Sequence, residues 1–208
     1  RDCGVKKVVF SSSSAVYGDD PTLPKREDMP TAPLSPYAVS KLAGEYYCTV
    51  FFKLFGLKTI SLRYFNVYGP RQDPQSEYAA VIPKFITRLL NKQAPVIFGD
   101  GKQTRDFVYV RDVVQANILA MQSSQTGTFN IGSGESIDLN TLARTLAEIM
   151  EVNIPPVYEK PRSGDIRDSV SDITTVKKSL GYQTGYSLER GLAETITWFR
   201  NNEPGYHS

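Results

Sequence analysis

Apolar residues along the chain follow two alternating rhythms. Short unbroken runs such as Val8-Val9-Phe10 fit strands covered on both faces, and longer stretches with apolar positions three or four apart fit helices. The first strand is read at Val5 to Ser11, followed by a Ser/Gly/Asp/Pro-rich loop from Ser12 to Ser35. Ser35 and Pro36 then supply an N-cap and a first helical position, predicting a helix from Tyr37 to about Leu54 that Gly56 stops. A strand at Lys58–Phe65 leads into a loop through Gly69-Pro70, a helix at about Ile82–Asn91, and a strand at Val96–Phe98 ending in the turn Gly99-Asp100-Gly101. Beyond it lie an extended Phe107–Val110, a helix from Arg111 to Gln122, a strand at Thr128–Ile131 and a helix at Leu139–Met150. The tail holds an extended Val157–Lys160 and helices at Ile173–Leu180 and Leu188–Asn201, and no repeat or low-complexity stretch interrupts the pattern. Strands alternating with helices in this way predict an α/β fold on a parallel sheet. A hinge is expected near Gly69-Pro70, with a smaller and more irregular lobe after it.

Composition narrows the picture mainly by exclusion. With 208 residues, 40% apolar and 22% charged, the chain can bury a core and fits one domain or one plus a small appendage. A net charge of +2 argues against a nucleic-acid surface. No apolar run approaches the roughly 18 residues that cross a bilayer, and no basic-then-apolar leader opens the chain. Cys3 and Cys48 make no disulfide framework, and the single histidine, His207, stands next to last, so neither a His-ligated metal centre nor a Ser-His-Asp triad is expected. The chain begins Arg1-Asp2-Cys3-Gly4, with no Met, and runs straight into a buried-looking strand.

The first candidate for chemistry is Tyr37-Ala38-Val39-Ser40-Lys41. Residues four apart share a helix face, so a phenol and an ammonium project together, in a first turn where the helix dipole and the cation both favour a phenolate. The spacing alone is weak, since a half-buried Tyr beside a solvated Lys shows it equally well. Its context is stronger: the pair follows a strand ending in Ser11-Ser12-Ser13-Ser14-Ala15-Val16-Tyr17-Gly18, and open α/β sheets bind ligands beyond the carboxyl ends of their strands. A serine-rich turn that satisfies its own backbone is the plainer alternative. Arg105-Asp106 and Arg111-Asp112 are compatible with surface ion pairs. Asn66 can cap the turn before Gly69-Pro70. Gly132-Ser133-Gly134 lacks the third glycine of a phosphate loop and is read as a strand-to-helix turn with Asp138 as N-cap.

In order along nearly the whole chain, SSSSAVYG, SPYAVSK, LRYFNVYGPRQ, GDGKQTRDFVYVRDV, FNIGSGES and RSGD resemble the extended short-chain dehydrogenase/reductase family, NAD-dependent epimerase/dehydratase type. Within it they are most similar to the UDP-N-acetylglucosamine and UDP-glucose 4-epimerases. The resemblance implies an α/β fold made of the C-terminal part of a Rossmann-like doubly wound parallel sheet and a smaller α/β substrate-binding lobe. Residues 1–70 would belong to the NAD-binding domain, and 71–208 mainly to the lobe, with some segments returning to the sheet. It implies that Tyr37 is the base and acid at the sugar C4 hydroxyl, that Lys41 holds the nicotinamide ribose of NAD and favours the phenolate, and that Ser13 hydrogen-bonds the reacting oxygen. Phe65 would contact the nicotinamide end of the cofactor and Asn66 the nucleotide-sugar. Arg105 and Arg162 would meet the diphosphate and Asp165 the nucleotide ribose.

The resemblance also limits the reaction. Ser14 and Ala15 stand where dehydratases of the family carry an Asp-Glu pair, and where decarboxylases carry a Glu in place of Ala15, which leaves reversible oxidation at C4. Ser169, small where members restricted to glucose carry a bulky residue, implies room for an N-acetyl group. The implied activity is interconversion of UDP-GlcNAc and UDP-GalNAc, with UDP-Glc/UDP-Gal as a second pair. A uronic-acid 4-epimerase, another nucleotide-sugar oxidoreductase and a non-catalytic binding module are the alternatives. Val5–Ser11 matches the family's fourth strand, so about 90 residues carrying the glycine-rich loop are expected upstream. As an N-terminally incomplete piece, the chain alone is expected to turn over weakly or not at all. The resemblance further implies a homodimer of the whole protein through helices that include Tyr37–Leu54, no membrane or nucleic-acid partner, and a cytoplasmic location.

Overall fold

A computed structural model describes residues 1–75, 80–161 and 166–202. In chain order they form β1 (Lys7–Ser13), a short 3-10 helix (Ser14–Tyr17), α1 (Pro36–Phe55), β2 (Lys58–Tyr64), β3 (Asn66–Tyr68), α2 (Val81–Leu90), β4 (Val96–Phe98), β5 (Thr104–Arg105) and β6 (Phe107–Tyr109). There follow α3 (Val110–Gln122), β7 (Gly127–Ile131), β8 (Ile137–Asp138), α4 (Leu139–Met150), β9 (Val157–Glu159), α5 (Thr174–Leu180) and α6 (Leu188–Asn202).

The largest sheet is parallel, in the order β1-β2-β7, with Lys7 opposite Lys58, Ser13 opposite Tyr64 and Ile60 opposite Gly127. β3 with β6 and β4 with β9 are further parallel pairs, and only β5 with β8 runs antiparallel among the described residues. The parallel α/β expectation therefore holds. α1 is built as its sequence signals say: Ser35 accepts the Ala38 N–H at 3.1 Å, Pro36 occupies the first turn, and Gly56 closes the helix at φ 67°. Asp138 caps α4 through the Thr141 N–H at 2.9 Å, as expected.

Two expectations change. The serine-rich segment is not loop throughout: β1 runs on to Ser13, whose Oγ accepts the Ala15 N–H and starts the 3-10 helix. The run read as a single strand at Lys58–Phe65 ends at Tyr64, and its continuation joins a different sheet. The switch takes one residue, because the Phe65 N–H still reaches Ile131 of the first sheet while the Asn66 N–H goes to Asp106 at 3.0 Å. A hydrophobic run reports burial but not which strand it pairs with.

Two main cores follow. Ile60, Leu62, Phe129 and Ile131 of the sheet pack with Val113 and Ala116 of α3 and Val176 of α5. The other core gathers α2, α4 and α6 around Phe85, Ile86, Leu142, Leu146 and Phe199. Residues 110–131 and 173–182 thus return to the sheet. Among the described residues no helix is long and apolar enough to cross a membrane, and no cluster of metal-ligating side chains is present.

Candidate active site

β1 delivers Ser11, Ser12 and Ser13 to the carboxyl edge of the sheet, and α1 starts beside them. The Lys41 ammonium donates to the Ser11 carbonyl at 3.0 Å and lies 5.5 Å from the centre of the Tyr37 ring. Tyr37 and Lys41 therefore do share one face, and Lys41 reaches the end of β1. Tyr37 keeps 43% of its surface exposed, so its edge of the site is open. Ser13 spends a lone pair on the Ala15 N–H at 3.2 Å, as the self-satisfied turn requires, and its hydroxyl hydrogen can still be donated. The Ser11 hydroxyl meets the Tyr64 hydroxyl at 3.1 Å, and Tyr64 donates to Asn117 at 2.9 Å. Phe65 is buried against Tyr17, with ring centres 6.5 Å apart.

A second group gathers around β5. Arg105 donates to the carbonyls of Thr104 and Arg167, and the Ser169 N–H donates to Thr104. Beside them opens a cleft of about 470 Å³, lined among others by Phe98, Asp100, Gln103, Glu159 and Arg167. Arg167 grips Asp100 through two bonds of 2.9 and 3.1 Å and pulls its carboxyl pKa down to about 2. Arg162 and Asp165 lie outside the described residues; their neighbours Pro161 and Ile166 line this cleft.

Sequence reasoning missed the residue that joins the two groups. Asp106 is fully buried, and its carboxylate accepts from Ser133 N and Oγ (2.7 Å each), Gly134 N (3.2 Å), and Ser171 N and Oγ (3.0 and 2.5 Å). With its carbonyl taking the Asn66 N–H, it ties β3, the turn after β7 and the segment holding Ser169 into one unit. The surface Arg105-Asp106 pair is therefore replaced by a buried hub. Arg111 likewise pairs with Glu194 at 3.5 Å, while Asp112 is buried and accepts the Gly185 N–H at 2.9 Å. Burial is the main cause that raises the Asp112 pKa. Also missed was a buried pair between Glu45 of α1 and Arg63 of β2, signalled only by a charge inside an otherwise apolar strand.

Fold and site together define an α/β protein with a parallel Rossmann-type sheet and a Tyr-Lys pair at its carboxyl edge. The chain belongs to the NAD dependent epimerase/dehydratase family, whose sequence model matches residues 1–132. A UDP-glucose 4-epimerase of Mycolicibacterium smegmatis is 42% identical over 97% of this chain and 64% of its own length. Among solved structures, the UDP-N-acetylglucosamine 4-epimerase of Methanobrevibacter ruminantium M1, in complex with UDP-N-acetylmuramic acid, aligns with a TM-score of 0.93 at 44% identity, covering 95% of this chain and 64% of that one. The Thermotoga maritima UDP-glucose 4-epimerase with UDP-glucose gives 0.93 and 44%, covering 96% and 65%. The chain thus spans just under two thirds of the length of these relatives.

Proposed function

We propose that the whole protein is a nucleotide-sugar 4-epimerase that uses NAD and acts on UDP-GlcNAc/UDP-GalNAc, with UDP-Glc/UDP-Gal as a second pair. The observation that carries this reading is the Tyr37-Lys41 pair on one face of α1, with Lys41 bonded to the serine end of β1. The residues present fit a nicotinamide cofactor. An ammonium has three donors, of which Lys41 spends one on Ser11, leaving two for the ribose hydroxyls, and Phe65 forms an apolar backing. Bound there, NAD supplies a reversible two-electron oxidant for C4. Tyr37 takes the proton of the C4 hydroxyl and returns it to the same oxygen once C4 has been reduced from its other face, and Ser13 donates to the C4 oxygen. The family resemblance assigns the nucleotide half of the substrate to Arg105, Arg162, Asp165 and Asn66.

The substrate choice rests on Ser169, a small and partly buried residue held by Thr104. Assay of the full-length protein on a panel of UDP-sugars tests the reading, and C4 inversion of neither pair would refute it. Ser169→Tyr is expected to lower the N-acetyl activity about tenfold or more, through overfilling of the pocket, while the hexose activity stays within about threefold. Equal loss on both pairs would reject the specificity role.

Tyr46, Tyr47, Val50 and Leu54 expose apolar surface on the outer side of α1, which supports docking of this helix on a second copy. Sedimentation equilibrium of the full-length protein at micromolar concentration is expected to give a dimer, and the substitutions Tyr47→Glu with Leu54→Glu a monomer.

A further inference from the structure

Several contacts set the register of α1 against the sheet, among them the Lys41 bond to the Ser11 carbonyl and the Thr59 hydroxyl, which donates to the Cys48 carbonyl at 2.9 Å. Gly44 lies so close to Phe10 that an added Cβ would come within 2.2 Å of the ring, and Ala38 and Glu45 are the fully buried residues of the helix. A one-residue slip turns a helix by about 100° and moves it about 1.5 Å, which would carry Tyr37 and Lys41 off the site. The Gly44–Phe10 fit opposes such a slip sterically, because a residue with a Cβ would take the place of Gly44. A buried ionic contact adds directionality to it. Arg63 donates Nε and Nη2 to the two carboxylate oxygens of Glu45 at 2.9 and 2.7 Å, and Ser12 donates its hydroxyl to the same carboxylate at 2.5 Å. Both charged side chains are 6% exposed.

Glu45 follows Lys41 by one helical turn and Tyr37 by two. On β1, its partner Ser12 stands between Ser11, which accepts from Lys41, and Ser13. The other side of Arg63 faces the Ser13 turn: the guanidinium lies over the Tyr17 ring, 4.7 Å from its centre, and Tyr17 donates to Asn130 at 2.7 Å. Nη1 of Arg63 has no hydrogen-bond partner among the described residues, so the group is committed to its fork and its ring. A buried ion pair contributes little net stability, because desolvation offsets the attraction, and apolar residues of similar volume often replace it without loss. A planar fork does specify geometry.

We infer that Glu45 and Arg63 are positioning residues: their buried fork sets the rotation and height of α1 against β1 and the Ser13 turn, and so brings Tyr37 and Lys41 to Ser13. This rests on the reading of Tyr37 and Lys41 as the acting pair. The test compares Arg63→Lys, which keeps the charge and loses the fork, with the double variant Glu45→Met and Arg63→Met, in the full-length, cofactor-loaded protein. Both are expected to lower kcat about a hundredfold, the loss that a misplacement of about 1 Å brings, with KM for the nucleotide-sugar within about threefold. The double variant is expected to melt within a few degrees of the parent, which separates positioning from a merely structural role. Hydrogen exchange supplies a readout independent of turnover: the amides of residues 37–41 are expected to exchange about tenfold faster in Arg63→Lys, with β7 unchanged. Unchanged kcat in a folded Arg63→Lys, or unchanged exchange at 37–41, would overturn the inference. If the parent itself fails to epimerise, the functional reading falls, and the exchange result still decides whether the fork holds α1.

Discussion

Tyr37→Phe in the full-length protein is expected to lower kcat about a thousandfold, with KM for the nucleotide-sugar little changed. The substitution removes one oxygen and keeps the ring, which is 43% exposed and stands 5.5 Å from the Lys41 ammonium, so helix and cation remain in place. On the proposed mechanism, what is lost is the group that takes the proton of the C4 hydroxyl and gives it back to that oxygen. No neighbour replaces it well. Ser13 accepts from the Ala15 N–H, the Ser11 hydroxyl meets Tyr64, and an aliphatic hydroxyl gives up its proton far less readily than a phenol. Progress curves on both UDP-sugar pairs, with circular dichroism to establish folding, make the measurement. A variant within about fivefold of the parent would remove Tyr37 from the mechanism.

Asp106→Ala is expected to cost about 4 kcal/mol of folding free energy, because three backbone N–H groups, one buried and two part-buried, lose their acceptor at once. These are Ser133 N, Gly134 N and Ser171 N, and two serine hydroxyls lose the same partner. The gap does not close easily, since Gly132 already sits so near that an added Cβ would meet Asp106 Oδ2 at 2.6 Å. Asp106→Asn is expected to cost about half as much, as one carbonyl oxygen still accepts while the amide hydrogens oppose the remaining donors. Urea unfolding midpoints check both values, and a loss below about 1 kcal/mol for the alanine variant would show that water takes over the role. Because the hub holds both Asn66 and the Ser169 segment, the surviving folded fraction is expected to show a raised KM.

Much of the site can be read from local signals. Ser35, Pro36 and Gly56 delimit α1, and four residues of helix bring Tyr37 and Lys41 to one face; neither statement needs a distant partner. Asp138 as a cap and Gly132-Ser133-Gly134 as a turn are local in the same sense. Asp106, Glu45 and Arg63 were not legible, because a carboxylate beside an arginine in sequence looks the same whether it lies in water or at the centre of five donors. Phe65 shows the same limit for the backbone: its neighbours on both sides are strand, and only the position of Ile131 and Asp106 decides that two sheets meet there.

The order of strands and helices, the ends of α1 and the side-by-side Tyr-Lys pair follow from local signals, since caps, helical pitch and apolar runs act over a few residues. Strand pairing, the burial of charges and the segment each charge secures come from contacts that exist once the chain has folded. Those outcomes depend on residues separated by tens of positions, such as Asp106 and Ser171, whose hydrogen bonds gain strength from the low-polarity surroundings that folding itself creates.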